Sequence, residues 1–378
     1  MDAKQVSKKG ILAVGNFDSN EGYAWRLMER FWCELSLLGA DQGYQTYVCF
    51  PTVTVVPQCL TDASCRVDKV DFTVSGLSAL FKQVRYIIKN SIHVMYLTDL
   101  KTYSWRYLLF RLAGVKTIVV HDHTPGMRSI PSGLKGFLKR FLNQMPFLSC
   151  TAALAVSPYV ADRLVSVNGL PSSKVFCVTN GIDIGEALSP VHKSETSALV
   201  RVVTVGRVCF YKGIDFAIDV INVLVKDYSL NNFEYLVIGD GPDIDDFKHR
   251  VRQLNLGERV HFIGNVANVP ERLLSCDIAF HPSRGEAMSL AILEYMRAGL
   301  AVVASDNPSV SSALEHDEYA VIYRQEDVQS AALTLKQLIE EPETRFRLGA
   351  GAQREVAENF SSDVMLRKFR DVMKRFVG

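Results

Sequence analysis

His281-Pro-Ser-Arg-Gly-Glu286-Ala-Met-Ser-Leu-Ala-Ile-Leu-Glu294, followed by Gly299 and the apolar run Ala301-Val-Val-Ala304, decides how this chain is read. An apolar run that predicts a buried strand ends in small polar residues. Two carboxylates then bracket the start of a short predicted helix, and another strand follows at once. In an open α/β sheet, ligands bind outside the carboxyl ends of the strands, where helix N-termini present free N–H groups. Such a place suits a diphosphate, with Glu294 far enough into the helix to reach ribose hydroxyls. Upstream, Gly206-Arg207 and Lys212-Gly213 close one strand and open another helix, supplying two cations for the same anion. Together these segments predict a nucleoside-diphosphate site.

The 378 residues suit two domains of roughly 180 residues each. A hydrophobic content of 48% with 22% charged residues belongs to a folded globular chain. The formal net charge of +1 gives no electrostatic case for nucleic acid as a partner. Residues 1–10 are polar and the apolar run Ile11–Val14 is short for a signal peptide, and nothing approaches the ~20 apolar residues of a membrane span. The expected location is the cytoplasm, extending to the inner face of the cell membrane. Eight scattered cysteines without a Cys-x-x-Cys pair read as reduced, buried thiols, with Cys49, Cys177 and Cys209 inside apolar patterns.

Continuous apolar runs alternate with helical spacing along the whole chain, which predicts parallel strands covered on both faces. Strands are expected at 11–15, 44–50, 93–97, 116–120, 152–156 and 174–178, with helices near 21–40, 76–90, 103–114, 132–145 and 158–168. The pattern then repeats with strands at 200–205, 235–238, 260–263, 278–280, 301–304 and 319–322. The aperiodic segment Glu186–Thr196 reads as a linker. The expected architecture is therefore α/β, two Rossmann-like doubly wound domains, 1–188 and 197–360, facing a cleft.

Several motifs admit more than one reading. Gly239-Asp-Gly-Pro242 is either a reversal turn or part of the ligand site, through Gly239 and Gly241. Arg207 and Lys212 sit near a helix start, where cations are mildly unfavourable unless an anion is nearby. Glu286 and Glu294 are either solvated helix carboxylates or site groups; the small neighbours Ser283, Gly285, Ala287 and Ser289 favour close approach of a ligand to the backbone. His121-Asp-His-Thr-Pro-Gly126 ends a predicted strand as a polar substrate-facing loop or as a turn held by Asp122 and Pro125, and no further ligand cluster accompanies it to hold a metal. Asn16–Gly22 is a second polar loop without a full G-x-G-x-x-G pattern. Segment 132–148 places Lys135, Lys139 and Arg140 beside Phe137, Leu138, Phe141 and Leu142. That spacing fits peripheral contact with an anionic membrane or packing against the domain's own sheet.

The ordered set Gly206-Arg207, Lys212-Gly213, Gly239-Asp-Gly-Pro242, Phe262-Ile-Gly264 and Glu286-x7-Glu294, with Asn180-Gly-Ile-Asp183, resembles the retaining GT-B glycosyltransferases of the glycosyl transferases group 1 family. The resemblance implies transfer of a sugar from a nucleotide-sugar donor to a glycan or lipid-linked acceptor, in bacterial surface polysaccharide assembly, with no cofactor and no metal. It implies that 1–188 is the acceptor-side domain, with the C-terminal helix 361–378 packing back on it, that 197–360 is the nucleotide-sugar domain, and that Arg207 and Lys212 bind the diphosphate and Glu294 the ribose. Glu286 and the backbone of Ala287, Met288, Ser289 and Leu290 would meet the sugar and phosphates. His121 would stand beside the transferred sugar, and Asn16, Gly22 and His123 on the acceptor side. The family's Glu-Gly-Phe-Gly is Glu286-Ala-Met-Ser289 here, its proline after the helix is Ala301, and its paired N-terminal glycines are Glu21-Gly22-Tyr23. A nucleotide-sugar epimerase and a noncatalytic nucleotide-sugar-binding protein are the alternative readings.

Overall fold

The computed structural model describes residues 9–20, 22, 26–126, 128–185 and 199–377. Two compact units emerge, one of Met1–Thr124, Arg128–Asn180 and Met365–Gly378, the other of Pro125–Met127 and Gly181–Val364. The expected linker Glu186–Thr196 lies outside the described residues, as do Glu21 and Tyr23.

In the first unit, β1 (Lys9–Val14), β2 (Tyr44–Phe50), β3 (Arg66–Lys69), β4 (Ile92–Thr98), β5 (Thr117–Asp122), β6 (Ala152–Ala155) and β7 (Val175–Cys177) form a sheet in the order β3-β2-β1-β4-β5-β6-β7. All neighbours are parallel. The inner strands are apolar on both faces: Ile11 to Val14 and Val94 to Leu97 are buried throughout. From Met365 on, the helix Ser362–Val377 adds Met365, Phe369, Met373 and Val377 at four-residue spacing, all buried. The Phe369 ring packs on Phe31 and Tyr96.

In the second unit, β8 (Val200–Val205), β9 (Phe233–Ile238), β10 (Val260–Gly264), β11 (Ile278–His281), β12 (Ala301–Ser305) and β13 (Ala320–Tyr323) run parallel in the order β10-β9-β8-β11-β12-β13. The chain winds outward from β8 to β10, then returns to lay β11 beside β8. Loops leaving β8 and β11 consequently diverge to opposite faces and open a crevice between them. Buried hydroxyls tie the same strands together: Tyr235 donates to Thr204 at 2.8 Å, and Thr204 donates to the Phe280 carbonyl at 2.5 Å.

The fold is thus α/β with two doubly wound parallel sheets, as the apolar runs predict. Two short elements lack a sequence signal, β3 and the helix Gln58–Asp62. The buried state expected for Cys177 is incorrect, because it lies on the edge strand β7 and is exposed; all eight cysteines are free. Among the described residues no helix is long and apolar enough to cross a membrane.

Gly213 shows what the crevice demands of its backbone. It is left-handed at φ +70°, and a Cβ there would lie 2.1 Å from the Pro282 carbonyl oxygen. Gly264 shares the left-handed conformation, at φ +77°, but faces open space. Gly213→Ala should cost about 2–4 kcal/mol in urea unfolding, from strain plus displaced backbone, and Gly264→Ala only about 1–2 kcal/mol. Equal losses would show that the Pro282 approach does not constrain the fold.

Candidate functional site

Three loops of the second unit meet at the carboxyl ends of β8, β9 and β11. After β8, Gly206 to Cys209 lead into a single 3-10 turn, Phe210–Lys212, before Gly213 starts the helix Ile214–Lys226. The β9 loop is stitched to it by backbone alone: Val208 N–H donates to Asp240 at 2.9 Å and Gly206 N–H to Ile238 at 3.0 Å. A Cβ on Gly239 or Gly241 would lie within 2.1 Å of the Gly206 or Val208 carbonyl oxygen. Packing of loop on loop therefore accounts for both glycines.

Lys212 and Glu286, 74 residues apart in sequence, form an ion pair of 2.6 Å. His281, the last residue of β11, approaches the same Glu286 oxygen through Nε2 at 3.1 Å. The Glu286 N–H donates to Ser309 Oγ at 3.1 Å, which in turn donates to Asn307. Burial alone would raise this carboxyl, but the charge of Lys212 and the bond to His281 outweigh it and hold the pKa down at about 2. Glu286 is therefore an ionised anchor, unable to release a proton as a general acid near neutrality.

Beyond Glu286, Ala287 is buried, Met288 is half-buried, and Ser289 caps the helix Leu290–Arg297 by accepting from the Ile292 N–H. Glu294 lies one turn further and is buried. The next residue, Tyr295, accepts from the Val205 N–H at 2.6 Å, fixing this helix to the end of β8. Arg207 stands apart: it is exposed, with no side-chain ion pair among the described residues.

Arg284 lies inside the decisive stretch yet gives no sequence signal for its role. Its guanidinium forks onto Asp215 at 2.7 and 2.9 Å, reaches Glu326 at 2.9 Å, donates to the Phe210 carbonyl and lies 4.0 Å over the Phe210 ring. It clamps the β11 loop to the turn that carries Lys212.

The first unit holds a second polar group of residues. His121 on β5 is buried, with Nδ1 against the Tyr96 hydroxyl and Nε2 without a hydrogen-bond partner. Burial, then neighbouring His123, pushes its pKa well below the ordinary imidazole value, so the ring is neutral. His123 is likewise depressed to about 4 by burial, and its Nε2 is also unpartnered. Asp99, just past β4, accepts the His123 N–H at 2.6 Å, and buried Arg163 pairs with Asp122 at 3.1 Å. Arg163 also donates to Thr124, so the expected Asp122 turn carries a buried cation as well. Asn16 is exposed, and Gly22 at φ +91° has open space where a Cβ would be. Asp99 and Arg163 escape sequence reading because neither sits in a recognisable motif.

Residues 193–355 match the family described as Glycosyl transferases group 1, and residues 28–186 match Glycosyltransferase Family 4. The second unit thus matches the glycosyl transferases group 1 family, and the chain has the GT-B type of fold. It is similar to the N-acetyl-alpha-D-glucosaminyl L-malate synthase of Bacillus anthracis, at 25% identity over 41% of this chain and 40% of that one. It is also similar to the UDP-Gal:alpha-D-GlcNAc-diphosphoundecaprenol alpha-1,3-galactosyltransferase of Escherichia coli, at 21% identity over 62% of each. The chain spans about half the length, or less, of the first curated relatives it matches. Among solved structures, Anabaena HepE in complex with UDP and glucose aligns with a TM-score of 0.73 at 16% identity, over 97% of this chain and all of that one.

Asp99 supplies a pH test of the first unit. Burial raises its carboxyl to about 7 against the Arg163 charge and the His123 N–H, whereas the unfolded group ionises near 3.8. Between those values the folded state binds the extra proton, so this group's contribution to stability falls as pH rises from about 4 to about 7. Asp99→Asn, which does not ionise, should gain on the parent across that window by at least about 1.4 kcal/mol, the equivalent of one pKa unit. A difference in unfolding free energy that stays constant from pH 4 to 8 would refute the shift.

Proposed function

We propose that this chain is a metal-independent retaining glycosyltransferase. It would move a sugar from a nucleotide sugar to a glycan or lipid-linked acceptor in bacterial surface polysaccharide assembly. The observation that carries this reading is the Lys212–Glu286–His281 cluster at the crevice between β8 and β11. A cation, a fixed carboxylate and the helix Leu290–Arg297 converge there within a unit that matches this family. The names of the E. coli relative and of the Anabaena complex, a lipid-diphosphate-linked acceptor and UDP respectively, support the substrate classes.

On this reading Arg207 and Lys212 receive the diphosphate, and the N-terminal amides of the helix Leu290–Arg297 add donors to it. Glu294 takes the ribose hydroxyls, and Glu286 with the backbone of 287–290 takes the sugar. The C1–O bond breaks with its electron pair passing to the diphosphate oxygen, and the two cations stabilise the charge that develops. The acceptor hydroxyl forms the new bond on the same face of the sugar, and its proton passes to the departing phosphate.

Lys212→Ala and Arg207→Ala should each weaken UDP, GDP or ADP binding, whichever the protein takes, by about 1.5–3 kcal/mol while leaving the fold intact. Unchanged affinity in both for all three nucleotides would remove the premise. Turnover should survive EDTA; loss of activity restored by Mn²⁺ or Mg²⁺ would overturn metal independence. Conversion of the donor to a free epimer without acceptor would select the epimerase reading, and absence of any turnover alongside tight binding the noncatalytic one.

Glu294→Gln should lower donor affinity about tenfold to a hundredfold, because the charge assistance to the ribose is lost. Titration with a ribonucleotide and its 2′-deoxy form gives the direct reading. The parent should prefer ribose, and the variant should lose most of that preference. Equal discrimination would place Glu294 outside the site.

A further inference from the structure

The helix Gly133–Gln144 of the first unit is built inside out. Its buried residues are Gly136 and Asn143. Gly136 lies so close to Pro131 that a Cβ would meet the carbonyl oxygen at 2.1 Å. Asn143 donates to the Asn168 carbonyl at 2.7 Å and accepts from Thr102 at 2.7 Å. On the opposite side stand Leu134, Phe137, Leu138 and Phe141, which are 82%, 67%, 51% and 45% exposed. They occupy the i, i+3, i+4 and i+7 positions of one face. Packing against the domain's own sheet, the ordinary explanation for such a stripe, is therefore excluded for these four side chains.

The charge along the stretch of sequence that carries the stripe is of one sign. Between Asp122 and Asp162 the sequence contains Arg128, Lys135, Lys139 and Arg140 and no carboxylate. An exposed apolar stripe flanked by cations suits an anionic lipid surface. A second copy of the same face would set cation against cation.

An apolar cavity of about 460 Å³ adjoins this helix, walled by Met95, Leu97, Phe110, Leu142 and Leu148, with Trp105 and Lys101 also lining it. Leu142 belongs to the helix itself and Leu148 to the segment just after it, so the cavity borders the exposed face. Trp105 is 57% exposed.

The geometry points to a lipid-binding surface in which the outward face of Gly133–Gln144 lies on an anionic bilayer while the adjoining cavity receives a hydrocarbon chain from it. Lys101, which lines the cavity, supplies a cation for the phosphate of that lipid. This inference does not depend on glycosyl transfer.

The test is co-sedimentation with phosphatidylcholine vesicles, with and without phosphatidylglycerol. The protein should bind only the anionic vesicles. Phe137→Ser/Phe141→Ser and Lys135→Glu/Arg140→Glu should each reduce the bound fraction at least tenfold, with melting and nucleotide binding as in the parent. In a Trp25→Phe background, phosphatidylglycerol brominated in its acyl chains should quench tryptophan fluorescence, and adding Trp105→Phe should remove that quenching, since the remaining Trp32 is buried. Equal binding to neutral vesicles, unaltered binding by the Phe variant, or undiminished quenching once Trp105→Phe is added overturns the proposal. So does a concentration-dependent dimer, without vesicle binding, that the Phe variant dissolves.

Discussion

The second unit depends on backbones that approach more closely than a Cβ allows. Gly213 lies against Pro282, Gly239 against Gly206 and Gly241 against Val208. These contacts bring the loops after β8, β9 and β11 together before any side chain acts. Only then can Lys212, delivered by a 3-10 turn, reach Glu286 across 74 residues of chain. A buried carboxylate is costly without a partner. Here it has two, Lys212 and His281, and its backbone is tied to Ser309. Arg284 supplies the remaining brace by clamping both loops to Asp215 and Glu326.

The two units set polar groups differently. In the second, Arg207 is exposed, and Lys212 and Glu286 are paired at the crevice. In the first, the histidines are neutral because burial removes their charge, and Arg163 is almost wholly enclosed beside Asp122. A neutral imidazole with an unpartnered nitrogen can hydrogen-bond a hydroxyl without repelling a cation or attracting a phosphate. On the reading proposed for this chain, that division suits a first unit that handles uncharged hydroxyls and a second that handles an anion.

Sequence made the fold legible where burial on both faces writes an unbroken apolar run, as in Ile11–Val14 and Ala301–Ala304. It failed at β3, because Arg-Val-Asp-Lys on a sheet edge pairs on one side only and needs no such run. In the candidate site, strand-end position was enough to draw attention to Lys212, Glu286 and Glu294. The partnership of His281 with Glu286, the clamp by Arg284 and the burial of Arg163 arise from tertiary placement, which leaves no spacing to read. The helix Gly133–Gln144 marks the limit most clearly. Periodicity revealed its stripe, but the side that faces inward is decided by Gly136 and Asn143, whose partners lie elsewhere in the chain.

The Lys212–Glu286 pair has a kinetic consequence. Seen from beyond a Debye length, about 8 Å in physiological salt, the two charges nearly cancel. An approaching anion is therefore drawn by exposed Arg207 and senses Lys212 only on arrival. On the reading proposed for this site, capture and retention are separate tasks: ionic strength would govern how fast the ligand is found through Arg207, while Lys212 would govern how long it stays.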